Sequence, residues 1–350
     1  MERGFDAARP LEHGPHGLPL LTSGDRLLRA ANDAEREDDE DQDQSDPEAP
    51  HAKILPPMPR LLAFLAVIFW GISFVATKAA LGEVSPITLV TTRFAIGALL
   101  LLALVRRLPP RKEWAPLALM GFVGVFIHQM LQSFALTMTS ASSTGWLIGL
   151  TPIWSAVLSA ILLRERFSAL KILGLAIGFA GALLVVTRGD FSARVFGRPS
   201  TLGDLLILIS TINWAVYSVI GHNTIRRLGP RRATSGAMLF GALMLAPFFL
   251  ARRGWTEIPH LTATGWGAVL FLGIGCSALG YLFWYGALEH IEVSRVAALL
   301  YAEPLVTVIA AMVLLGEQLS GIVVMGGLLV LAGVVIAQYA PAAQLKPEEA

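Results

Sequence analysis

The chain contains the same unit twice, and the two copies keep a constant spacing. Residues 141–167 read ASSTGWLIGLTPIWSAVLSAILLRERF, and residues 293–319 read VSRVAALLYAEPLVTVIAAMVLLGEQL. Matched positions 152 residues apart include Pro152 with Pro304 and Glu165 with Glu317. Nearer the start of each copy the spacing falls to 144, where Trp70 matches Trp214, and one insertion explains the change. The chain is therefore predicted to be a duplicated unit of about 140 residues.

Long apolar segments fill both copies. Apolar residues make up 54% of the chain and charged residues only 15%, whereas about a quarter of a soluble domain is charged. Each segment is close to the roughly 20 residues that cross a bilayer as a helix. The sequence therefore predicts an all-α integral membrane protein with ten transmembrane helices, at 61–81, 86–105, 114–136, 141–163, 169–187, 202–221, 233–251, 264–287, 294–314 and 321–339.

The basic residues of the connectors indicate an orientation. Fifteen Lys and Arg residues fall on one side of the predicted spans and five on the other. Cytoplasmic loops carry the excess of such residues, so both termini are predicted to lie in the cytoplasm. Because each unit has five spans, the second copy enters from the opposite face. Inverted repeats of this kind are typical of secondary transporters, whose sites lie where the repeats meet.

The first 59 residues have a different composition from the rest. Residues 33–48 alone hold ten Asp or Glu, and such a segment buries too little apolar surface to fold. Residues 1–59 are therefore interpreted as a disordered, acidic cytoplasmic tail, with a true start at Met58 as the alternative. The remaining boundaries are a first repeat at 60–187, a linker at 188–200, a second repeat at 201–340 and a cytoplasmic tail at 341–350.

Ionisable side chains inside predicted spans are candidates for a solute site, because their burial in a bilayer is costly. Lys78 either reaches the interface or serves the site, and Arg93 lies deeper in its span. Glu303 pairs with Arg93, binds a cationic solute or carries a proton. His128, which Gln129 follows, is either a hydrogen-bonded structural residue or a group that titrates near neutral pH.

Prolines, aromatic residues and span-end glutamates complete the candidate set. Pro152 and Pro304 are expected to kink or break their spans. Six aromatic residues within spans are candidates for the cavity wall, although each alone is more often a packing residue: Trp70, Trp146, Trp214, Tyr217, Tyr281 and Tyr301. Glu165 and Glu317 follow their spans and are predicted to be structural anchors that form salt bridges between repeats.

Two strings of small residues predict close helix packing. They are GLAIGFAGA at 174–182 and GGLLVLAG at 326–333. Small residues let two helix backbones approach one another in a membrane. The pattern leaves open whether the partner helix lies in the same chain or in the second subunit of a homodimer.

These residues together resemble the EamA domain of the drug/metabolite transporter superfamily. The resemblance covers about 60–340, once in each copy, and rests on three kinds of segment. These are WGISFVATKAAL (70–81), SASSTGWLIGLTPIWSAVLSAILLRERF (140–167) and ALEHIEVSRVAALLYAEPLVTVIAAMVLLGEQL (287–319). It implies a ten-helix secondary carrier of the inner membrane, often an exporter of amino acids, other metabolites or drugs. It also places Lys78 and Arg93 where the first two spans of the family usually carry basic residues.

The leading hypothesis is therefore alternating-access export of a small organic solute, with a proton or a counter-solute as the coupling partner. The alternative is an exchanger of anionic solutes such as sugar phosphates or nucleotide sugars, which Lys78 and Arg93 would bind together. An enzyme is not expected, since the chain has no GxSxG, HExxH or paired intramembrane aspartates. With a single cysteine, Cys276, no metal site is expected, and neither a cofactor nor a nucleic-acid partner is predicted.

Overall fold

The computed structural model describes residues 59–106, 108–163, 167–288, 290 and 299–339. Within these ranges the secondary structure is entirely helical, and no β-strand occurs. The predicted acidic tail apart from Pro59, the short tail at 341–350 and the predicted anchor Glu165 lie outside the described residues.

The helices in these ranges begin and end close to the predicted apolar segments. In chain order they are α1 (Pro59–Ala80), α2 (Pro86–Val105), α3 (Arg111–Met138), α4 (Ala141–Ile148), α5 (Thr151–Leu163), α6 (Ala169–Thr187), α7 (Pro199–Leu228), α8 (Pro230–Ala251), α9 (Ala263–Leu288), α10 (Glu303–Leu315) and α11 (Gly321–Tyr339). A short 3₁₀ helix, Leu299–Ala302, precedes α10. Another, Ala193–Gly197, lies in the predicted linker.

Hydroxyl side chains fix where several of these helices begin. Ser140 accepts the backbone N–H of Ser143 at the start of α4, and Thr262 accepts that of Gly265 at the start of α9. Such caps satisfy amide donors that have no partner inside the helix. Proline occupies the first position of α2 and α7, where its missing N–H removes no hydrogen bond.

Eight of the described helices are long and apolar enough to cross a membrane: α1, α2, α3, α6, α7, α8, α9 and α11. The fourth predicted span, 141–163, is instead two helices, because the chain turns at Gly149 and Leu150 before α5. Pro152 is the second residue of α5. The ninth predicted span is described only from Leu299, and Pro304 is the second residue of α10. The molecule is thus a helical, multi-pass membrane protein.

The helices pack in a pattern that relates the two halves of the chain. Helix α1 contacts α9 and α10, while α7, its counterpart in the second half, contacts α3 and the broken pair α4–α5. Helix α2 packs on its own counterpart α8, and α6 packs on its counterpart α11. Exchanging every helix for its counterpart leaves this set of contacts unchanged.

Glycines allow the closest of these contacts. The two predicted small-residue strings face one another, since a Cβ atom added at Gly333 of α11 would lie 2.3 Å from the backbone nitrogen of Gly178 in α6. The close packing that these strings predict therefore occurs within one chain. Between α2 and α9, a Cβ atom at Gly97 would lie 2.7 Å from the Cβ atom of Ser277. This approach brings polar groups of the two helices together.

Helices α3 and α9 each contain a π-helical stretch, Phe122–Ile127 and Phe271–Leu279. A π-helical turn holds an extra residue, disturbs the regular hydrogen bonding and is frequent at functional sites. Side chains of the neighbouring helices bond to carbonyl groups in both stretches. Asn213 donates to the Val123 oxygen at 2.9 Å, and Trp70 donates to the Cys276 oxygen at 3.2 Å.

Candidate functional site

Arg93 lies inside the bundle and is only 9% exposed. Its Nε donates a hydrogen bond to Ser277 Oγ at 2.9 Å, and its Nη1 donates one to Gln129 Oε1 at 3.3 Å. The guanidinium carbon lies 5.0 Å from the centroid of the Phe94 ring. The side chain is therefore held by α3 and α9 together, and each of its hydrogen-bond acceptors is a neutral group.

The packing of α2 against α9 explains why Arg93 meets Ser277. Gly97 lies one helical turn after Arg93, and its missing side chain lets α9 approach closely at Ser277. Ser277 is fully buried. On the other side of the same crossing, a Cβ atom at Gly273 would lie 2.9 Å from the Ile96 side chain. Two glycines thus set the distance between the helices that carry the arginine and its acceptor.

Aromatic side chains from α1 and α9 pack against one another. The ring centroids of Trp70 and Tyr281 are 5.3 Å apart, and those of Trp70 and Trp284 are also 5.3 Å apart. Tyr281 in turn lies 6.1 Å from Tyr285, whose hydroxyl is 2.8 Å from the Thr234 hydroxyl. Trp70 and Tyr281, two residues of the predicted cavity wall, are therefore in contact, and their role in a solute cavity stays a prediction.

Glu303 is the first residue of α10, and the packing of α10 on α1 positions it. Thr307 Oγ1 donates to the Gly71 carbonyl at 2.9 Å, and a Cβ atom at Gly71 would lie 3.1 Å from the Glu303 oxygen. The Glu303 side chain is partly exposed and lies within electrostatic range of Cys276 and Tyr281. Within the described ranges its carboxyl group forms neither a hydrogen bond nor an ion pair.

Arg93 and Glu303 both act electrostatically on Cys276 and Tyr281, and they form no contact with one another among the described residues. An ion pair with Arg93 is one of the roles predicted for Glu303. This ion pair does not form among the described residues. We use the term Arg93 site for the group that these contacts define: Arg93, Gln129, Ser277, Tyr281 and Glu303.

A second polar cluster lies where α3 meets α7. The carbonyl of Ser210 accepts a hydrogen bond from His128 Nδ1 at 3.1 Å, and the His128 ring lies 5.0 Å from the ring of Trp214. The ring centroids of Trp214 and Tyr217 are 5.0 Å apart, with the rings tilted. The Tyr217 ring fills the space next to Gly124 in the π-helical stretch of α3. His128 is buried and acts here as a hydrogen-bonded link between two helices.

A small cavity connects this cluster with the Arg93 site. Its volume is about 10 Å³, which is room for one water molecule. Gln129 and Tyr281 border it on the Arg93 side, and Trp214 and Tyr217 border it on the other. Three of the predicted aromatic residues, all from the second half of the chain, therefore line this cavity: Trp214, Tyr217 and Tyr281.

Lys78 lies elsewhere, at the end of the bundle where α1 and α3 finish, which we call the Lys78 end. Its Nζ donates to the carbonyl oxygens of Leu136, at 3.0 Å, and of Thr139. The Leu136 carbonyl belongs to the last turn of α3 and Thr139 is the residue that follows the helix, where a cation stabilises the helix end. Lys78 also borders a cavity of about 360 Å³ that is rich in serine.

Glu317 caps the neighbouring helix at the same end. Its carboxylate accepts the backbone N–H of Ala141 at 2.8 Å and that of Ser142 at 3.0 Å, and it also accepts the Ser142 hydroxyl. A carboxylate is favoured at a helix N-terminus. Glu317 is predicted to form a salt bridge between repeats, whereas in the structure its carboxylate binds backbone amides of the other half.

Trp146 and Tyr301 are not part of the Arg93 site. Trp146 belongs to a hydrophobic cluster that includes residues of α3, α4, α5, α6, α7, α10 and α11, and Tyr301 packs against it. Trp146 packs on Gly327, where an added Cβ atom would lie 2.1 Å from its ring. Trp146 Nε1 and the Tyr301 hydroxyl are buried and have no hydrogen-bond partner in the described part of the chain.

Two residues of these networks were not predicted from the sequence to be important. Ser277, the acceptor of Arg93, is one small residue among many and carries no local signal. Asp204 lies near the start of α7, is fully buried, and binds Arg188 at 3.1 Å and the Thr139 hydroxyl. An acidic residue inside an apolar segment is a signal that could have identified Asp204.

Known proteins are similar to this chain in sequence and in fold. The profile of the EamA-like transporter family matches residues 58–187 and again 201–339. An uncharacterized transporter of Archaeoglobus fulgidus is 34% identical over 276 residues, which cover 78% of this chain and 95% of that protein. A crystal structure that covers 80% of this chain and 98% of its own superposes with a TM-score of 0.57 at 25% identity.

Two further relatives are named for a transport function. A probable terminal-alkyne amino-acid exporter of Streptantibioticus cattleyicolor is 27% identical over 78% of this chain and 90% of its own. A probable amino-acid metabolite efflux pump of Salmonella typhimurium is 28% identical over 79% of this chain and 93% of its own. The family match covers more than half of the sequence and recurs in both copies of the repeat, so the chain belongs to the EamA-like transporter family.

Proposed function

We propose that this protein is a secondary active transporter that exports small organic metabolites such as amino acids, or drugs, by alternating access. The observation that carries the proposal is the Arg93 site. Arg93 of the first half is buried and bonds only to neutral groups of α3 and α9 among the described residues, and Glu303 of the second half, at the start of α10, forms no ion pair in the described chain. Ionisable groups kept inside a membrane protein in this way mark solute pathways.

The helix contacts support two inverted repeats of five spans each, with the broken helices α4–α5 and the segment leading into α10 as equivalent elements. Their pairing pattern is the one expected when the repeats are related by a two-fold axis in the membrane plane. In this proposal the site lies near the membrane midplane, where α1, α2, α3, α9 and α10 meet. Rocking of one half against the other would expose it to each side in turn.

The distribution of basic residues supports an orientation in the cell membrane with both termini in the cytoplasm. In that orientation the Lys78 end faces the outside, and the serine-rich cavity of about 360 Å³ lies along the exit path. The two relatives that are named for a function are a probable exporter and a probable efflux pump, which supports export as the direction of transport.

The alternative, an exchanger of sugar phosphates or nucleotide sugars, has weaker support. It requires Lys78 and Arg93 to bind one anion together. Lys78 instead bonds to carbonyl groups at the end of α3, whereas Arg93 bonds to Ser277 and Gln129. The two cations therefore have separate partners in separate regions of the bundle.

The test begins with thermal stabilisation of the purified protein against amino acids, cationic drugs and sugar phosphates. A solute at 100 times its dissociation constant adds about 2.7 kcal/mol of stability. Solutes that stabilise the protein are then tested for counterflow in proteoliposomes. We expect counterflow of an amino acid or a drug and its loss in Arg93→Ala, with normal membrane insertion of that variant. Stabilisation by sugar phosphates alone would favour the exchanger. The absence of counterflow for every compound in the panel would contradict transport of amino acids, cationic drugs and sugar phosphates.

A further inference from the structure

We propose that the serine-rich cavity at the Lys78 end binds a phosphate group, carried either by free phosphate or by the headgroup of a phospholipid. The cavity has a volume of about 360 Å³, which lies within the range of small-molecule sites. It is separate from the Arg93 site, since the two share no residue. The inference therefore goes beyond the proposed transport function and does not depend on which solute is transported.

The lining of this cavity is cationic and rich in hydrogen-bond donors. Lys78 and Arg188 contribute the charged groups, and five serines, a threonine and a glutamine contribute most of the rest. Among the described residues that line it there is neither an Asp nor a Glu. Ammonium, guanidinium and hydroxyl groups together form a lining that favours a phosphate group over a cation.

Lys78 supplies a positive charge that no ion pair neutralises among the described residues. Its ammonium group has three N–H donors, and the neutral carbonyls of Leu136 and Thr139 accept two of them. Glu317 attracts Lys78 electrostatically, but its carboxylate is bound to backbone amides at the start of α4. One donor of Lys78 therefore remains for an anion in the cavity.

Arg188 supplies directed donors. The carboxylate of Asp204, which is fully buried, accepts from Nη2 at 3.1 Å, and the Val186 carbonyl accepts from Nη1 at 3.3 Å. The described residues thus take two of the five donors of the guanidinium group. Because Arg188 borders the cavity and its side chain is 28% exposed, an anion inside the cavity can reach the others.

The first turns of two long helices strengthen this preference. Ser200 is the second residue of α7, and no side chain of the described residues caps that helix. Ser320 precedes α11, and its hydroxyl accepts the N–H of Val323 at 3.3 Å. Both serines line the cavity, so the positive ends of two helix dipoles lie beside it. At the start of α4, the carboxylate of Glu317 already occupies a comparable position.

The donors belong to both halves of the chain, which favours a phosphate group over a carboxylate. Lys78 and Arg188 come from the first half, whereas Ser200 and Ser320 come from the second. A carboxylate has two oxygens, whereas a phosphate group has more acceptor oxygens, which are arranged around a tetrahedral centre. A bound phosphate group therefore contacts both halves at the Lys78 end.

The test begins with the binding of inorganic phosphate to the full chain in detergent. Isothermal titration calorimetry measures it, with chloride adjusted so that the ionic strength stays constant. We expect saturable binding of one phosphate per chain. Heat that rises in proportion to concentration without saturating would overturn the inference, since a general salt effect gives that result.

Ser200→Asp places a fixed negative charge in the cavity and should keep the fold, because a carboxylate in the first turn of a helix is stabilising. Its unfolding midpoint should not fall, while Kd for phosphate should rise about ten-fold or more, since like charges side by side oppose binding. Ser192→Asp adds the same charge at an exposed position outside the cavity lining and should leave Kd unchanged. Equal affinities of Ser200→Asp and the unaltered protein would exclude this cavity as the site.

A pair of variants tests the charge of Lys78. Lys78→Gln removes the charge and should raise Kd for phosphate about ten-fold or more, whereas Lys78→Arg keeps a cation and should bind phosphate more tightly than Lys78→Gln does. A structural role alone would lower the unfolding midpoint of both variants without separating their affinities. Equal affinities of the two variants would therefore contradict a role for the charge.

Phosphatidylglycerol added to the micelles distinguishes the two sources of the group. If it competes with phosphate in the unaltered protein, the occupant is a lipid headgroup. If phosphate binds equally well in its presence, the occupant is a free anion, and either result supports the site. Because these are equilibrium measurements without transport, phosphate binding in a protein that shows no counterflow would contradict the proposed transport function alone.

Discussion

The carboxylate of Glu317 accepts the backbone N–H of Ser142 at 3.0 Å, so the connector after α10 caps a helix in the other half of the chain. A second bond from Ala141, at 2.8 Å, completes the cap. Beside it, Lys78 of α1 holds the last carbonyls of α3. Both ends of the α3–α4 connection are therefore held by charged side chains from elsewhere in the chain, and the bonds of Glu317 join the two halves at the Lys78 end.

Replacing Glu317 with alanine should destabilise the protein by about 1–2 kcal/mol, because charged hydrogen bonds to a helix N-terminus are lost. Unfolding of the purified variant in detergent, followed by tryptophan fluorescence, measures the change. Gln318→Ala, at the exposed neighbouring position, is the matched control and should leave the midpoint unchanged. An unchanged midpoint in Glu317→Ala would show that the cap does not contribute to stability.

A second carboxylate cap should make stability depend on pH. Glu83, in the connector between α1 and α2, accepts the hydroxyl and the backbone N–H of Thr262, each at 2.7 Å. The Thr262 hydroxyl, followed by its backbone N–H, holds the pKa of the Glu83 carboxyl below its ordinary value of 4.5. Because the pKa is lower in the folded state, the contribution is complete above pH 4.5 and is lost as the pH falls through the folded value.

The comparison of the unaltered protein with Glu83→Gln tests this dependence. At pH 7 the variant should unfold at a lower temperature, and the difference should shrink as the pH is lowered through the acidic range. The same substitution in a Thr262→Val background should have a smaller effect, since one of the two bonds is already absent. A temperature difference that stays constant with pH would contradict the assignment.

Much of the fold could be predicted because membrane insertion imposes a simple pattern. Segments of about 20 apolar residues predict helices, and eight of them are membrane-length helices in the structure. The spacing of Pro152 and Pro304 identified the repeat, and the recurrence of the family match at 58–187 and 201–339 agrees with it. Small-residue strings predicted a close helix contact, which is the contact of α6 with α11.

The partners of the polar groups could not be predicted, since they depend on contacts between distant parts of the chain. Ser277 is 184 residues from Arg93, and Glu317 is 175 residues from Ser142. No local pattern marks the π-helical stretches of α3 and α9 either. A single sequence thus identified Arg93 and Glu303 as candidates, but only the packing of α1, α2, α9 and α10 shows what surrounds them.

The contact of α6 with α11 should be intolerant of even one methyl group. A Cβ atom at Gly333 would lie 2.3 Å from the backbone nitrogen of Gly178 and 2.6 Å from the Gly174 carbonyl oxygen, and backbone atoms cannot move aside. Gly333→Ala should therefore destabilise the protein by about 1–3 kcal/mol. Gly321→Ala, in the same helix with open space around it, should have no such cost. Equal unfolding midpoints for the two variants would contradict this packing.

Ser277 is expected to act as a positioning residue for Arg93. Ser277→Ala removes the acceptor of Arg93 Nε, a bond of about 1.5–3 kcal/mol to a charged donor. The guanidinium group should then adopt several orientations, so KM for the transported solute should rise about ten-fold while the maximal rate changes little.

Counterflow kinetics and the unfolding midpoint are measured on the same preparation of Ser277→Ala, because a structural role alone would lower the midpoint without raising KM. Ser218→Ala, which removes an exposed hydroxyl bonded only within its own helix, is the control. If both serine variants keep the original KM, Ser277 does not orient Arg93 for the solute.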